Sequence, residues 1–211
     1  RARLQQTAAV RLYSLHAYRV DNNDKGMMMK RNSTGKVYAP VAIAAASMLF
    51  FACSGTAEDH SAAIDDALSA AWPGMAENAT VVDWEGNVLK EGSNGYTCFP
   101  TPPMLSGTAP MCMDGPWMKW ADAWQNKKEF TADALGISYM LSGDEGASNI
   151  DPYAEGPTDD NEWIVEGAHL MIIAPPELLE AFPTDPNNGG AYVMWKGTPY
   201  QHLMVPVGAR D

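Results

Sequence analysis

The chain has 211 residues, with 26 acidic against 14 basic side chains, a formal charge of −12, 46% apolar residues and 19% charged residues. That length predicts one ordinary domain able to bury its own core, and the composition excludes disordered, collagen-like and coiled-coil classes. A negative balance of this size also excludes a protein that holds nucleic acid by neutralising phosphates.

The charge is unevenly spread. Residues 1–52 carry eight Lys or Arg against Asp21 and Asp24, a net +6, whereas residues 53–211 carry six basic and 24 acidic residues, a net −18. A basic leader before an acidic body is the polarity of an export signal. Met27, Met28 and Met29 offer three start positions, so residues 1–26 read as an upstream extension that is not native. From Met27 a short basic stretch (Lys30, Arg31, Lys36) precedes an apolar run from Val37 to Ala52. That run falls short of the roughly 20 residues needed to span a bilayer, which makes residues 27–52 a secretory signal.

Two ways of processing the signal fit. Phe50-Phe51-Ala52-Cys53 resembles the lipobox of bacterial lipoproteins, with Cys53 as the lipidated residue and Phe where the motif usually has Leu and a small residue. The alternative is cleavage after Ala57, with Gly55 and Ala57 as the small residues. The expected location is the periplasm or, with lipidation, the outer membrane, the lipid anchor being the sole membrane contact. Residues 53–63 read as a flexible tether, and residues 64–211 as a single mature α+β domain.

Within that domain Asp65 to Ala71 predicts a short helix, stopped by Pro73-Gly74. Ala79–Trp84, Val88–Lys90 and Tyr96–Phe99 predict three strands joined as a β-meander. Cys98 and Cys112 are an even pair in an exported domain, which reads as a disulfide holding a Pro-rich loop. Closing about 15 residues stabilises by roughly 3 kcal/mol in the chain-entropy model. The spacing is not Cys-x-x-Cys, and no flanking Lys, Arg or His would lower a thiol pKa, so a redox or metal role is disfavoured.

Asp114-Gly115-Pro116 opens the clearest helix, with Asp114 able to cap and Pro116 in the first turn. Trp117, Trp120, Ala121 and Trp124 recur at i, i+3, i+4 and i+7, one face of that helix. Such an indole stripe either packs the helix onto a sheet or presents a ligand face for a sugar, haem or hydrophobic molecule. Leu135–Leu141 predicts a strand, and Ser142–Glu162 a long solvated loop whose carboxylates lack the spacing of a calcium loop. Ala168–Ala174 predicts a strand, Pro176–Phe182 a short helix, and Tyr192–Lys196 and Tyr200–Val205 two closing strands. Pro199 and Pro206 place the last strand at an edge. The sum is an α+β domain with a mainly antiparallel sheet of about six strands and two or three packed helices.

Catalytic signatures are missing: no Gly-x-Ser-x-Gly, phosphate-cradling Gly loop, His-Glu-x-x-His or Cys-x-x-Cys-His occurs, and no catalytic residue is assigned. The sharpest pattern is His-Leu-Met, which occurs at His169-Leu170-Met171 and again at His202-Leu203-Met204. Residues i and i+2 of a strand share a face, so each His and its Met point the same way. On neighbouring strands, His169, Met171, His202 and Met204 would form a soft donor set suited to copper, with Met111 and Met113 near Cys112 able to add sulfur. Against that stands the ordinary use of Met to fill core gaps.

The segments Asp83–Leu89, Gly95–Cys98, Pro110–Asp114 and Val193–Tyr200 together resemble a set of exported bacterial proteins of unknown function. The resemblance implies export and brings no activity, substrate or site residue with it. The leading expectation is an exported or membrane-tethered, non-enzymatic domain binding a small ligand or a protein, with no cofactor and no nucleic acid. A periplasmic copper protein is the alternative, and an enzyme with a dispersed site is third.

Overall fold

A computed structural model describes residues 59–210. The upstream extension, the signal and Cys53 lie outside the described residues. Helix α1 (Ser61–Ser69) starts within the predicted tether, four residues before the expected helix. Asp59 explains the early start, since its Oδ1 accepts the Ser61 N–H at 3.0 Å and so turns the chain into the first helical residue.

After the one-turn helix α2 (Pro73–Ala76) come β1 (Thr80–Val82), β2 (Val88–Lys90), β3 (Thr97–Phe99) and β4 (Met111–Met113). Helix α3 (Gly115–Gln125) leads to β5 (Gly136–Met140), β6 (Ala147–Ser148), β7 (Trp163–Ile164) and β8 (His169–Ile173). The short α4 (Pro176–Leu179), β9 (Tyr192–Met194) and β10 (His202–Pro206) complete the fold. Eight strands form one sheet in the order β2-β1-β3-β4-β5-β8-β10-β9, and β6 and β7 form a separate ribbon. The class is α+β with a mostly antiparallel sheet, but that sheet has eight strands and the described residues form four helices, against the six strands and two or three helices expected. The difference arises from elements of two to four residues, such as β4 within the Pro-rich stretch, which carry too few residues to show a period.

Three expectations are corrected. The first three strands are not a meander: β3 pairs with β1, in parallel, on the side away from β2. The connection runs beneath the start of β1, where the N–H groups of Ser93 and Asn94 donate to the Asn78 carbonyl at 2.8 and 3.2 Å. Gly92 permits this, because a Cβ there would lie 2.2 Å from backbone atoms of Ala79 and Thr80. Next, β10 is an interior strand between β8 and β9. Pro206 is its last residue and Pro199 precedes it, so neither interrupts the ladder. The edge is β9, whose Val193 N–H donates to the Pro183 carbonyl at 2.8 Å, blunting it against further pairing. Finally, the 142–162 segment is not a plain solvated loop. Ser148 and Asn149 are buried, and the Asn149 and Ser148 carbonyls accept from the Trp195 backbone and indole N–H at 2.8 and 2.6 Å.

Cys98 and Cys112 stand directly opposite each other on β3 and β4 and are disulfide-bonded. The cross-link therefore staples two adjacent strands of the sheet, and the Pro-rich loop hangs from it. Around it pack Ala67, Ala70, Met75 and Val81, while Leu179, Val193 and Leu203 fill the same face under α4. On the other face α3 lays Trp117, Trp120, Ala121 and Ala123 over Met113, Ile173, Tyr192, Met194 and Met204. Among the described residues no helix is long and apolar enough to cross a membrane.

Candidate functional site

The α3 face does not close completely. A cavity of about 470 Å³ lies between α3, the sheet and the 142–162 segment, a size ordinary for small-molecule sites. Six of the nine methionines after residue 53 line it (Met111, Met113, Met140, Met171, Met194 and Met204), together with six of the seven tryptophans in the chain.

Local chemistry sets α3 in place. The Asp114 carboxylate accepts the Trp117 N–H at 2.9 Å through Oδ1 and the Ile137 N–H at 2.8 Å through Oδ2. One side chain thus caps the helix and ties it to β5. Trp117, Trp120 and Trp124, the predicted indole stripe, all line the cavity. Trp120 stacks on Trp195 at 5.8 Å and 6° and on Trp124 at 6.2 Å and 12°. Trp124 stacks on Tyr153 and donates its indole N–H to the Pro152 carbonyl at 3.0 Å, pinning the 142–162 segment against the helix.

Trp195 was not foreseen, and its backbone is unusual. It sits at φ +56, a left-handed conformation costly for a bulky side chain. Its two hydrogen bonds to Ser148 and Asn149 hold it there, with its ring 4.9 Å from the His202 ring. Trp120 and Trp117 meet the same imidazole at 5.4 and 5.7 Å, all three in edge-to-face geometry.

His202 is almost wholly buried and lines the cavity. Its Nδ1 donates to the Tyr200 carbonyl at 3.0 Å; a carbonyl only accepts, so the proton is on Nδ1 and the lone pair on Nε2. Burial pushes its pKa down to about 4, and the ring is neutral at neutral pH. Met204 and Met171 are directly opposed on β10 and β8, and both line the cavity.

His169 is placed differently. It stands opposite Pro206, four residues along β10 from His202. Its Nδ1 donates to the Gly167 carbonyl at 2.7 Å, and its Nε2 lies 3.8 Å from Asp144 Oδ2. The register thus puts Met204 and Met171 side by side, with His202 two residues from the pair in one direction and His169 two residues from it in the other.

Polarity in the cavity is one-sided. Asp144, Glu145 and Glu155 contribute to its wall, and among the described residues no Lys or Arg does. Burial raises the Asp144 carboxyl, while its Oδ1 accepts the Gly146 and Glu166 N–H groups at 2.9 Å each. Two further polar atoms in the wall, Trp120 Nε1 and Gln125 Oε1, are buried without a hydrogen-bond partner among the described residues. Behind the wall, buried Glu166 accepts from Tyr192 at 2.7 Å and from Arg210 at 2.6 and 3.0 Å, anchoring the end of the chain.

Sequence reasoning missed Met140, Met194, Trp84, Trp163 and Trp195 as lining residues. The one visible signal was the Met111–Met113 alternation around Cys112, which places both thioethers opposite the disulfide face. Compared with protein-family models, curated proteins and solved structures, the chain matches none.

Proposed function

We propose that this protein is an exported, non-enzymatic binding domain whose ligand is a small apolar molecule, neutral or positively charged. The carrying observation is the cavity itself: indole and thioether walls, carboxylates on one side and, among the described residues, no cationic lining residue. Indole faces favour a cation or a flat ring, and carboxylates disfavour an anion. Methionine lends the walls adaptability to shape. Export is supported by the basic and apolar leader and by a disulfide, a bond that persists in oxidising compartments.

The test uses the neutral dye N-phenylnaphthylamine. Saturable fluorescence enhancement at one dye per chain is expected, with affinity reduced about tenfold or more in Ala154→Trp, which places an indole in the cavity from the loop side. No saturable binding, or equal binding by the variant, would overturn the reading.

A further inference from the structure

The floor of the cavity carries a feature that does not depend on an organic ligand. Four lining residues occupy adjoining positions on one sheet face. Met171 of β8 is directly opposite Met204 of β10, and His202, two residues earlier on β10, is directly opposite Met194 of β9. Opposed residues have Cβ atoms about 4.5–5.5 Å apart, and i and i+2 of a strand are separated by about 7 Å. Three thioethers and one imidazole therefore border the same part of the floor. Methionine has three rotatable bonds, so the sulfurs can turn toward a common point without moving the backbone.

We propose that His202, Met171, Met194 and Met204 form a binding site for Cu(I). The donor chemistry selects the ion. Thioether and imidazole suit soft, monovalent copper, whereas calcium and magnesium demand oxygen and zinc is held by thiolate, imidazole and carboxylate. Among the described residues no group of three or more His, Cys, Asp or Glu is arranged for such metals. The imidazole offers the right tautomer: Nδ1 keeps its proton against the Tyr200 carbonyl, leaving Nε2 as the donor, and that carbonyl is the outer partner that orients a metal-binding histidine. Trp117, Trp120 and Trp195 close around the ring within 5.7 Å. They shield the floor from water and set indole rings beside a monovalent cation. All four donors are neutral, so binding moves no electron and releases no proton, and the charge of the ion stays in the site. His169, on the other side of the Met171–Met204 pair, is not part of the set: it does not line the cavity, and its Nδ1 is bonded to the Gly167 carbonyl while its Nε2 lies 3.8 Å from Asp144 Oδ2.

The experiment titrates the full 211-residue chain, without oxygen, into Cu(I) held by bathocuproine disulfonate. One equivalent of copper should transfer to the protein with parallel quenching of tryptophan fluorescence, and X-ray absorption should show one nitrogen and two or three sulfur neighbours. The paired substitution Met171→Leu/Met204→Leu nearly conserves side-chain volume, so the fold should persist while affinity falls by about 100-fold or more. Met27→Leu/Met28→Leu/Met29→Leu/Met48→Leu with Cys53→Ser, the control for sulfur donors ahead of the domain, should leave affinity unchanged. Copper that stays with the chelator, a copper shell of oxygen or nitrogen alone, or wild-type affinity in the Met171/Met204 variant would each overturn the site. If the variant fails to fold, the absorption spectrum of the wild-type complex decides. Dye binding without copper uptake would remove the metal site and leave the apolar-ligand reading standing; copper uptake without dye binding would do the reverse.

Discussion

On the face of the sheet covered by α1, α2 and α4, the buried side chains are mostly small or branched, Ala67, Ala70, Val81, Val193 and Leu203 among them, set around the Cys98–Cys112 bond. On the face covered by α3 they are mostly aromatic side chains and methionines, with His202 among them, set around about 470 Å³ of open volume. The same strands supply both, since alternate residues of β4, β5, β8 and β10 point to opposite sides. Branched side chains with few rotamers fill a face to crystal-like density, and the disulfide removes freedom from the unfolded chain. Long, adaptable thioethers and broad indoles leave shaped space, at a cost in lost contacts. The division suggests that one face supplies stability and the other function.

That comparison breaks most directly at the disulfide. Cys98→Ala/Cys112→Ala should lower unfolding free energy by about 3 kcal/mol in the chain-entropy model, read as a lower urea midpoint. Below the transition, dye binding should be unchanged, because the bond lies on the opposite side of the sheet. Lost binding in a variant that is still folded would show that the faces are not separable.

The next largest effect is carried by His202 and appears as pH dependence. Its folded pKa is about 4 against an ordinary value of about 6.5. Between those values the unfolded chain takes up a proton that the folded chain refuses. Stability is therefore full above pH 6.5 and is lost as pH falls toward 4, by as much as about 3 kcal/mol. Asp144 acts with opposite sign: burial raises its carboxyl, so the folded form holds that proton more firmly and gains stability as pH falls through its folded value. Denaturant titrations of wild type and His202→Gln at several pH values separate the two. The slope between pH 4 and 6.5 should flatten in the variant, and an unaltered slope would mean that His202 is not held neutral by the cavity face.

How far each face could be read from the sequence follows the same division. Local chemistry was legible: the Asp114 cap and the helix it opens, the pairing of two cysteines, and the apolar runs that became β8 and β10. The cavity was not, because its walls come from residues as far apart as Trp84 and Met204, and one wall is a segment whose Gly, Asp and Pro composition reads as solvated. Ser148 and Asn149 are buried there with their carbonyls accepting from Trp195, nearly fifty residues later, a partner that no local pattern announces. Gly92 shows the same limit, as its reason is a close approach to β1 that no local pattern encodes. The two His-Leu-Met segments could be placed on strands from sequence, but antiparallel register decides that Met171 meets Met204 while His169 meets Pro206.

The smallest effect tests the looseness of the α3 face itself. Met140 is buried on β5 and lines the cavity without belonging to the four-residue set on the floor. Met140→Leu exchanges side chains of similar volume and should cost less than about 1.5 kcal/mol, because the neighbouring thioethers and the open volume can absorb the change in shape. On the opposite face Leu203→Ala removes a branched side chain from closely fitted neighbours and should cost about 2–5 kcal/mol. Equal costs would mean that the methionine face is as rigidly interlocked as the aliphatic one. Space for a ligand would then have to be opened by rearrangement, and dye association with the wild-type chain would be slow and independent of dye concentration at saturation.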